Sequence, residues 1–499
     1  MAITMTEIPT TQLIGLAQVQ LDRTGTTPAS AVQRSCIFGQ KTSAGSATAL
    51  ALVQVSSKER AVALFGVGSQ LAIMCATYLR NDPAAVLYAV PFSDNGTTKA
   101  AGTFTVTGPA TGNGTVSIEI GGYGLSVGVT SGDAQNTIAS AINVAINLVL
   151  DLPVLSGVSA NVVTVTAKNA GTNGNTIRIS VNPSTGQVLP AGVAVALVQP
   201  TGGATDPAYA TTQVTALAAI AAEDFRHIVW PWTDDDSLDV LDAELISRWG
   251  AARGKLSHAY SFLADTVGNA TTWGGVRNSP HHTTLATLTP RNPHWEMAAS
   301  AAGAMAQSLK AHPAVPLTGL VLRDRLGRAM RGPIAGRYTD TENNTVGLVG
   351  VGSISVDQYD QVRINAAVTH YKTDGNGSSD TTLRWTNAPH QIAYLISDLR
   401  ATIQSRAANK ILVDDASVVS PGTPAIDVTM IRSMLIGRYA AHVRDAIVEN
   451  IEGFKEFLIV ERNANDANRV DVLYPPDLAN QLNVLAVLFR PYLQLPSEG

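Results

Sequence analysis

Between Thr98 and Pro207 the only charged side chains are Lys99, Glu119, Asp133, Asp151, Lys168, Arg178 and Asp206, and most of the rest is Gly, Thr, Ser, Asn, Ala and Val. Within this stretch Gly102–Thr107, Thr115–Ile120, Leu125–Val129, Val162–Ala167 and Thr176–Val181 alternate in polarity between Gly and Asn turns, the pattern of half-buried strands. Ile138, Ile142, Ala145, Ile146 and Val149 share one face at helical spacing, which predicts a single helix among them. The segment therefore reads as an inserted β-rich domain bounded by the turns Asp94-Asn95-Gly96 and Thr201-Gly202-Gly203.

On either side of it the chain has a different rhythm. Ser35–Gly39 predicts a strand, Ser57–Arg80 one helix and Val86–Phe92 a strand. After the insert the order resumes: His227–Trp232 as a buried strand, a helix capped by Asp236 or Ser237 with Leu238, Leu241, Leu245 and Trp249 on one face, then Ser257–Leu263 and His282–Leu288. Asn292 is the expected cap of the next helix, with Pro293 in its first turn. Repeated strand-helix-strand spacing favours a mainly parallel sheet flanked by helices, so the core is discontinuous in sequence. The last third predicts paired strands at Val346–Val356 and Gln361–Tyr371 and helices at about 388–407 and 428–449, a smaller α+β lobe. The fold class is thus α/β and α+β in several domains, as a length of 499 residues also predicts.

Charge bounds the function. A net charge of −5 with no run of Lys and Arg leaves no footprint for nucleic acid, and a charged share of 15% fits a chain whose surfaces meet other chains. The two cysteines, Cys36 and Cys75, stand in apolar settings that suit buried thiols in a reducing compartment. No stretch reads as a membrane span, and the N-terminal residues lack a basic region followed by an apolar core, so a cytosolic chain is expected.

Both ends of the chain look like arms. Leu13 to Leu21 is extended in pattern, with Leu13, Leu16, Val19 and Leu21 as its apolar positions, and is followed by a turn-rich run to Pro28. At the other end Val484, Ala486 and Leu488 lie on one side of an extended run, with Leu485, Val487 and Phe489 on the other. Neither side suits water, so either the subunit covers its own tail or another subunit does.

Chemical constellations are few. His227, His258, His281, His282 and His294 invite a nucleophile triad, but no Gly-x-Ser-x-Gly turn occurs, so no catalytic residue is assigned. Adjacent His281 and His282 point to opposite faces of an extended segment, poor geometry for one metal, and no metal site is assigned. Asp234-Asp235-Asp236 precedes a helix and is better read as capping than as a metal loop. Gly66-Val67-Gly68 lacks the third glycine and the preceding strand of a dinucleotide site and reads as a helix irregularity, and Trp230 and Trp232 are better placed in a core than on a sugar platform. No cofactor is expected.

Several segments in order along the chain resemble the tail sheath proteins of Mu-like phages. They are Gly45-Ser46-Ala47-Thr48-Ala49, Ala89-Val90-Pro91-Phe92, Thr105-Val106-Thr107-Gly108-Pro109-Ala110, Ala243-Glu244-Leu245 with Ser247-Arg248-Trp249-Gly250, and Arg277-Asn278-Ser279-Pro280-His281. Near the C-terminus they continue with Val460-Glu461-Arg462-Asn463 and with Asn468 through Leu478.

The resemblance implies a non-enzymatic structural subunit with a subtilisin-like α/β lobe, a smaller C-terminal α+β lobe and an outer insert. It implies hexameric rings stacked helically around an inner tail tube, contraction that drives the tube through the host envelope during genome delivery, and terminal arms that add strands to neighbouring subunits. The implied partners are the chain itself, the tail tube protein, and baseplate and tail terminator proteins, with no direct nucleic acid contact and no membrane insertion, in a virion tail assembled in the host cytoplasm. The expected organisation is an arm at 1–30, core at 31–97, insert at 98–207, core α/β lobe at 208–345, C-terminal lobe at 346–480 and a strand-donating arm at 481–499. Leu13, Leu16, Val19, Leu21, Val484, Leu485, Val487, Leu488 and Phe489 are the expected strand-exchange residues, and Glu461, Arg462, Arg469 and Asp471 the expected junction charges. The sheath of a non-phage contractile injection system is an alternative of the same mechanical class. A surface-binding, adhesin-like protein is one of a different class, suggested by the Gly/Thr-rich insert.

Overall fold

The computed structural model describes residues 33–489 and 491, apart from 95, 97, 251, 252, 408 and 416–419. Its first strand, Arg34–Gln40 (β1), is followed by Val53–Val55 (β2) and by two helices, Lys58–Phe65 (α1) and Gln70–Asn81 (α2), before Val86–Phe92 (β3). The apolar spacing of Ser57–Arg80 predicts one helix, but the chain breaks at Gly66 and Gly68, both at positive φ. A side chain at Gly68 would run into the Leu152 carbonyl and the Lys168 ammonium, which reach this turn from the charge-poor segment. Ser57 and Ser69 then cap the two helices separately, accepting from the amides of Arg60 and Ala72.

The charge-poor segment holds two antiparallel sheets. Ala101–Thr107 (β4), Gly114–Ile120 (β5), Tyr123–Val129 (β6), Val154–Ser159 (β7), Val162–Ala167 (β8), Ile179–Val181 (β9) and Ala194–Thr201 (β10) are its strands, in the orders β10-β4-β8-β7 and β6-β5-β9. Their alternating apolar side chains close on Gln135–Leu148 (α3), whose Ile138, Ile142 and Ile146 are buried between them. The last predicted strand here is shorter than its pattern, because Thr172–Thr176 winds into a 3-10 turn first.

Beyond Val214–Ala218 (α4) come His227–Val229 (β11), Asp235–Trp249 (α5), His258–Ala264 (β12), Val267–Gly275 (α6), His282–Thr287 (β13), His294–Ala311 (α7), Val321–Leu322 (β14), Asp340–Leu348 (α8), Gly352–Val356 (β15) and Val362–Ala366 (β16). With β1–β3 they form one nine-stranded sheet in the order β14-β16-β15-β13-β12-β11-β1-β3-β2, parallel from β3 to β15 and antiparallel at both edges. β11 pairs with β1 in register Ser35↔His227, so residues on either side of the charge-poor segment are adjacent strands. β1 alternates across the sheet. Ile37 packs with α2 and α7 on one face, while Cys36 and Phe38 pack with Trp230, Trp232, α4 and α5 on the other. Both cysteines are buried free thiols.

Several local expectations are corrected. Asp234, not Asp236 or Ser237, caps α5, accepting from the Ser237 amide at 2.9 Å. Pro293 stands at the cap of α7, and Asn292 instead donates to Glu296 Oε2 at 3.0 Å and to the Gly121 carbonyl. Val346–Val356 is the end of a helix and then a strand, because Thr339 and Glu342 form a capping box that starts α8.

The remaining elements are Asn387–Arg406 (α9), Ile411–Leu412 (β17), Ala425–Ile426 (β18), Val428–Arg444 (α10), Val448–Glu449 (β19), Ile451–Phe457 (α11), Ile459–Arg462 (β20), Val470–Leu473 (β21) and Asp477–Leu478 (β22). They surround a separate apolar cluster of Leu395, Leu435, Tyr439, Ile447 and Phe454, with the Tyr439 and Phe454 rings stacked at 3.7 Å. Among the described residues no helix is long and apolar enough to cross a membrane.

Candidate assembly surface

The C-terminal tail is held and then released. β22 pairs with β19, the Ala479 amide donates to the Ile447 carbonyl at 3.1 Å, and Gln391 donates to the carbonyls of Ile447 and Ala479. Gln481 donates to Gln391 Oε1 at 3.0 Å, the last side-chain tie to the body among the described residues. From Leu482 to Phe489 the chain is in no strand. Val484, Leu485, Val487, Leu488 and Phe489 are between 75% and 82% exposed, on both sides of the run. Among the described residues nothing covers them. The expected N-terminal positions Leu13, Leu16, Val19 and Leu21 lie outside the described residues.

The four expected junction charges sit on one hairpin. β20 and β21 pair antiparallel with Glu461 opposite Asp471 and Arg462 opposite Val470, and neither strand has a second partner among the described residues. Two carboxylates directly across a ladder repel, and the hairpin answers with polar partners. Arg469 Nε lies 2.6 Å from Asp471 Oδ1, and Asn463 donates to Asp471 Oδ2 at 2.6 Å. These hydrogen bonds, from Asn463 first and Arg469 second, hold the Asp471 carboxyl below its usual range. Arg462 reaches away to Asp414 at 2.5 Å and to the Ala467 carbonyl at 2.9 Å. Glu461 is exposed and has no ion-pair partner among the described residues. Beside it Ile459, Val472 and Leu473 are 41% to 57% exposed. The hairpin thus offers two open edges, uncovered apolar side chains and an unneutralised carboxylate.

Two buried groups gather several of the histidines. His227, His258 and His390 gather at Tyr260, with His227 Nδ1 and His390 Nε2 at 3.1 and 2.9 Å from its hydroxyl. Burial, more than neighbouring charge, holds all three rings well below the ordinary imidazole range. His282 joins Ser261 and Asp242, with Ser261 Oγ 2.9 Å from Nε2 and Asp242 Oδ1 3.3 Å from Nδ1. The connectivity is that of a triad, but Ser261 lies buried inside β12 and donates to the Trp230 carbonyl, so it is neither exposed nor poised as a nucleophile. His281 turns the other way and stacks on Trp249 at 4.1 Å. Trp230 and Trp232 are core residues packed edge-on at 5.2 Å. No single-sequence signal links Asp242, Ser261 and His282, which lie on three separate elements.

No family model matches the chain. It is 30% identical, over 97% of its length and 99% of the relative's, to a Mu-like prophage FluMu tail sheath protein from Haemophilus influenzae. Its fold is like that of a chain in the anti-feeding prophage baseplate in the contracted state, with TM-score 0.50, 11% identity, and 97% and 98% of the two chains covered. A sheath tail protein from Desulfitobacterium hafniense aligns with TM-score 0.49 and 13% identity over 94% and 97% of the chains.

Proposed function

The chain belongs to the tail sheath proteins of Mu-like phages, and from that premise we propose that it polymerises as stacked six-subunit rings around an inner tail tube. Contraction of that lattice drives the tube through the host envelope. The uncovered Val484–Phe489 run carries this reading. Burying five large apolar side chains is worth roughly 7–15 kcal/mol as an upper bound. Ordering six residues costs on the order of 6–12 kcal/mol, so burial alone about offsets ordering. The main-chain bonds of an added strand then decide, and they are offered by a sheet edge on a neighbour. The β20–β21 hairpin supports that role with its two open edges.

Strand pairing held by many directional hydrogen bonds survives rigid-body rotation of the bodies it joins, so such arms act as hinges while the lobes slide to a lower-energy packing. No nucleotide is required. In this reading the nine-stranded sheet with helices on both faces is the subtilisin-like lobe and takes in the strands at 352–366 that were expected in the smaller lobe, 98–207 is the outer domain, the remainder of 346–480 the C-terminal lobe, and 1–30 and 481–499 the arms. The tube, baseplate and terminator proteins are its partners in a virion tail assembled in the host cytoplasm. Negative-stain microscopy of the purified protein tests the proposal. Rings or tubes are expected, whereas monodisperse monomers at high concentration would contradict it.

A further inference from the structure

Asp242 on α5, His282 at the start of β13 and His370 beyond β16 converge so that their ligating atoms all lie within 4.8 Å of one another. The His282 and His370 rings are 4.6 Å apart and fully buried, while the Asp242 side chain keeps 17% exposure. The hydrogen bonds around them fix where the lone pairs point. Ser261 Oγ donates to the Trp230 carbonyl at 3.1 Å and so accepts from His282 Nε2 at 2.9 Å. In the neutral ring that leaves a bare Nδ1 facing the Asp242 carboxylate at 3.3 Å, an arrangement that repels unless a metal ion or a second ring proton stands between them. His370 has Nε2 held at 3.0 Å from Thr284 Oγ1, and its buried Nδ1 has no partner. The cations of this neighbourhood are engaged elsewhere, Arg277 on Asp235 and Lys372 on the Gly274 carbonyl.

Two imidazole nitrogens and one carboxylate oxygen, with the far nitrogen of each ring held by a hydroxyl, make both the donor set and the outer shell of a zinc-type site. We propose that Asp242, His282 and His370 bind one divalent transition-metal ion of the zinc class, with water as the fourth ligand on the Asp242 side. Two nitrogen donors disfavour calcium and magnesium. Ligands of a tetrahedral ion at ~2.1 Å sit about 3.4 Å apart, a spacing the His282–Asp242 pair already has. The ion ties α5 and β13 to the segment that bridges Thr369 to Thr283 and leads into α9. It therefore clasps the main sheet to the start of the C-terminal lobe.

Cobalt(II) titration of the full-length chain, stripped with chelator and dialysed, tests this. One equivalent per chain with the visible bands of tetrahedral cobalt, displaced by zinc, is expected. Asp242→Asn should abolish the bands, Ser261→Ala should weaken binding about 10–100-fold, and the distant His312→Gln should leave both unchanged, with far-UV dichroism confirming that each variant is folded. No cobalt uptake by the wild-type chain, which would mean a plain imidazolium–carboxylate pair, overturns the proposal. So do bands that survive Asp242→Asn.

Discussion

Three histidines buried around one tyrosine hydroxyl make this chain sensitive to acid. His227, His258 and His390 are neutral when folded because burial excludes their charged forms, while the unfolded chain protonates them near pH 6.5. Above pH 6.5 neither state binds the protons and stability does not depend on them. Below it the unfolded state binds more, so stability falls as pH falls. By pH 5.5 each ring should cost about 1.4 kcal/mol, read as a drop in denaturation midpoint that is smaller in His390→Gln. Arg469 lies at the other extreme of exposure. Among the described residues it pairs only with Asp471 on its own hairpin, so Arg469→Glu should shift the melting temperature by no more than ~2 °C while abolishing tubes. Normal tubes from that variant would remove Arg469 from the junction. The four charges expected at a junction were legible as one polar stretch because they are close in sequence. Asp242, His282 and His370 were not, since only the sheet brings them together.

At the level of elements, α2 and α7 cross closely because α7 presents small residues. Ala298, Ala299, Ala301, Ala302, Ala306 and Gly303 are all buried there. A Cβ on Gly303 would lie 2.8 Å from the Tyr78 carbonyl oxygen. Alanine gains about 1 kcal/mol of helix propensity over glycine, but the obstacle is backbone that cannot swing aside. Gly303→Ala should therefore destabilise by about 1–3 kcal/mol in urea denaturation, and a stabilised variant would show the crossing to be loose. Most strands were readable because alternation and Gly/Asn turns act locally, as β4 and β8 illustrate. The break between α1 and α2 was legible only as an irregularity at Gly66-Val67-Gly68, because what the turn accommodates at Gly68 comes from the distant segment around Leu152 and Lys168. The start of α8 was present in the sequence as Thr339-x-x-Glu342, a signal outweighed by the apolar run after it.

For the whole molecule, the contrast between a charge-poor β segment and the α/β rhythm around it made the pairing of β1 with β11 foreseeable. What the rhythm cannot express is which chain covers the tail, because both docking within a subunit and exchange between subunits demand the same two apolar faces. Among the described residues those faces are bare, and the proposed polymer gives them a destination on a neighbouring subunit. The double variant Leu485→Asp with Leu488→Asp places one charge on each face of the run. Its melting temperature should match that of the parent chain, and negative-stain images should show subunits without tubes. Intact tubes, or a monomer that melts several degrees lower, would contradict strand donation between subunits.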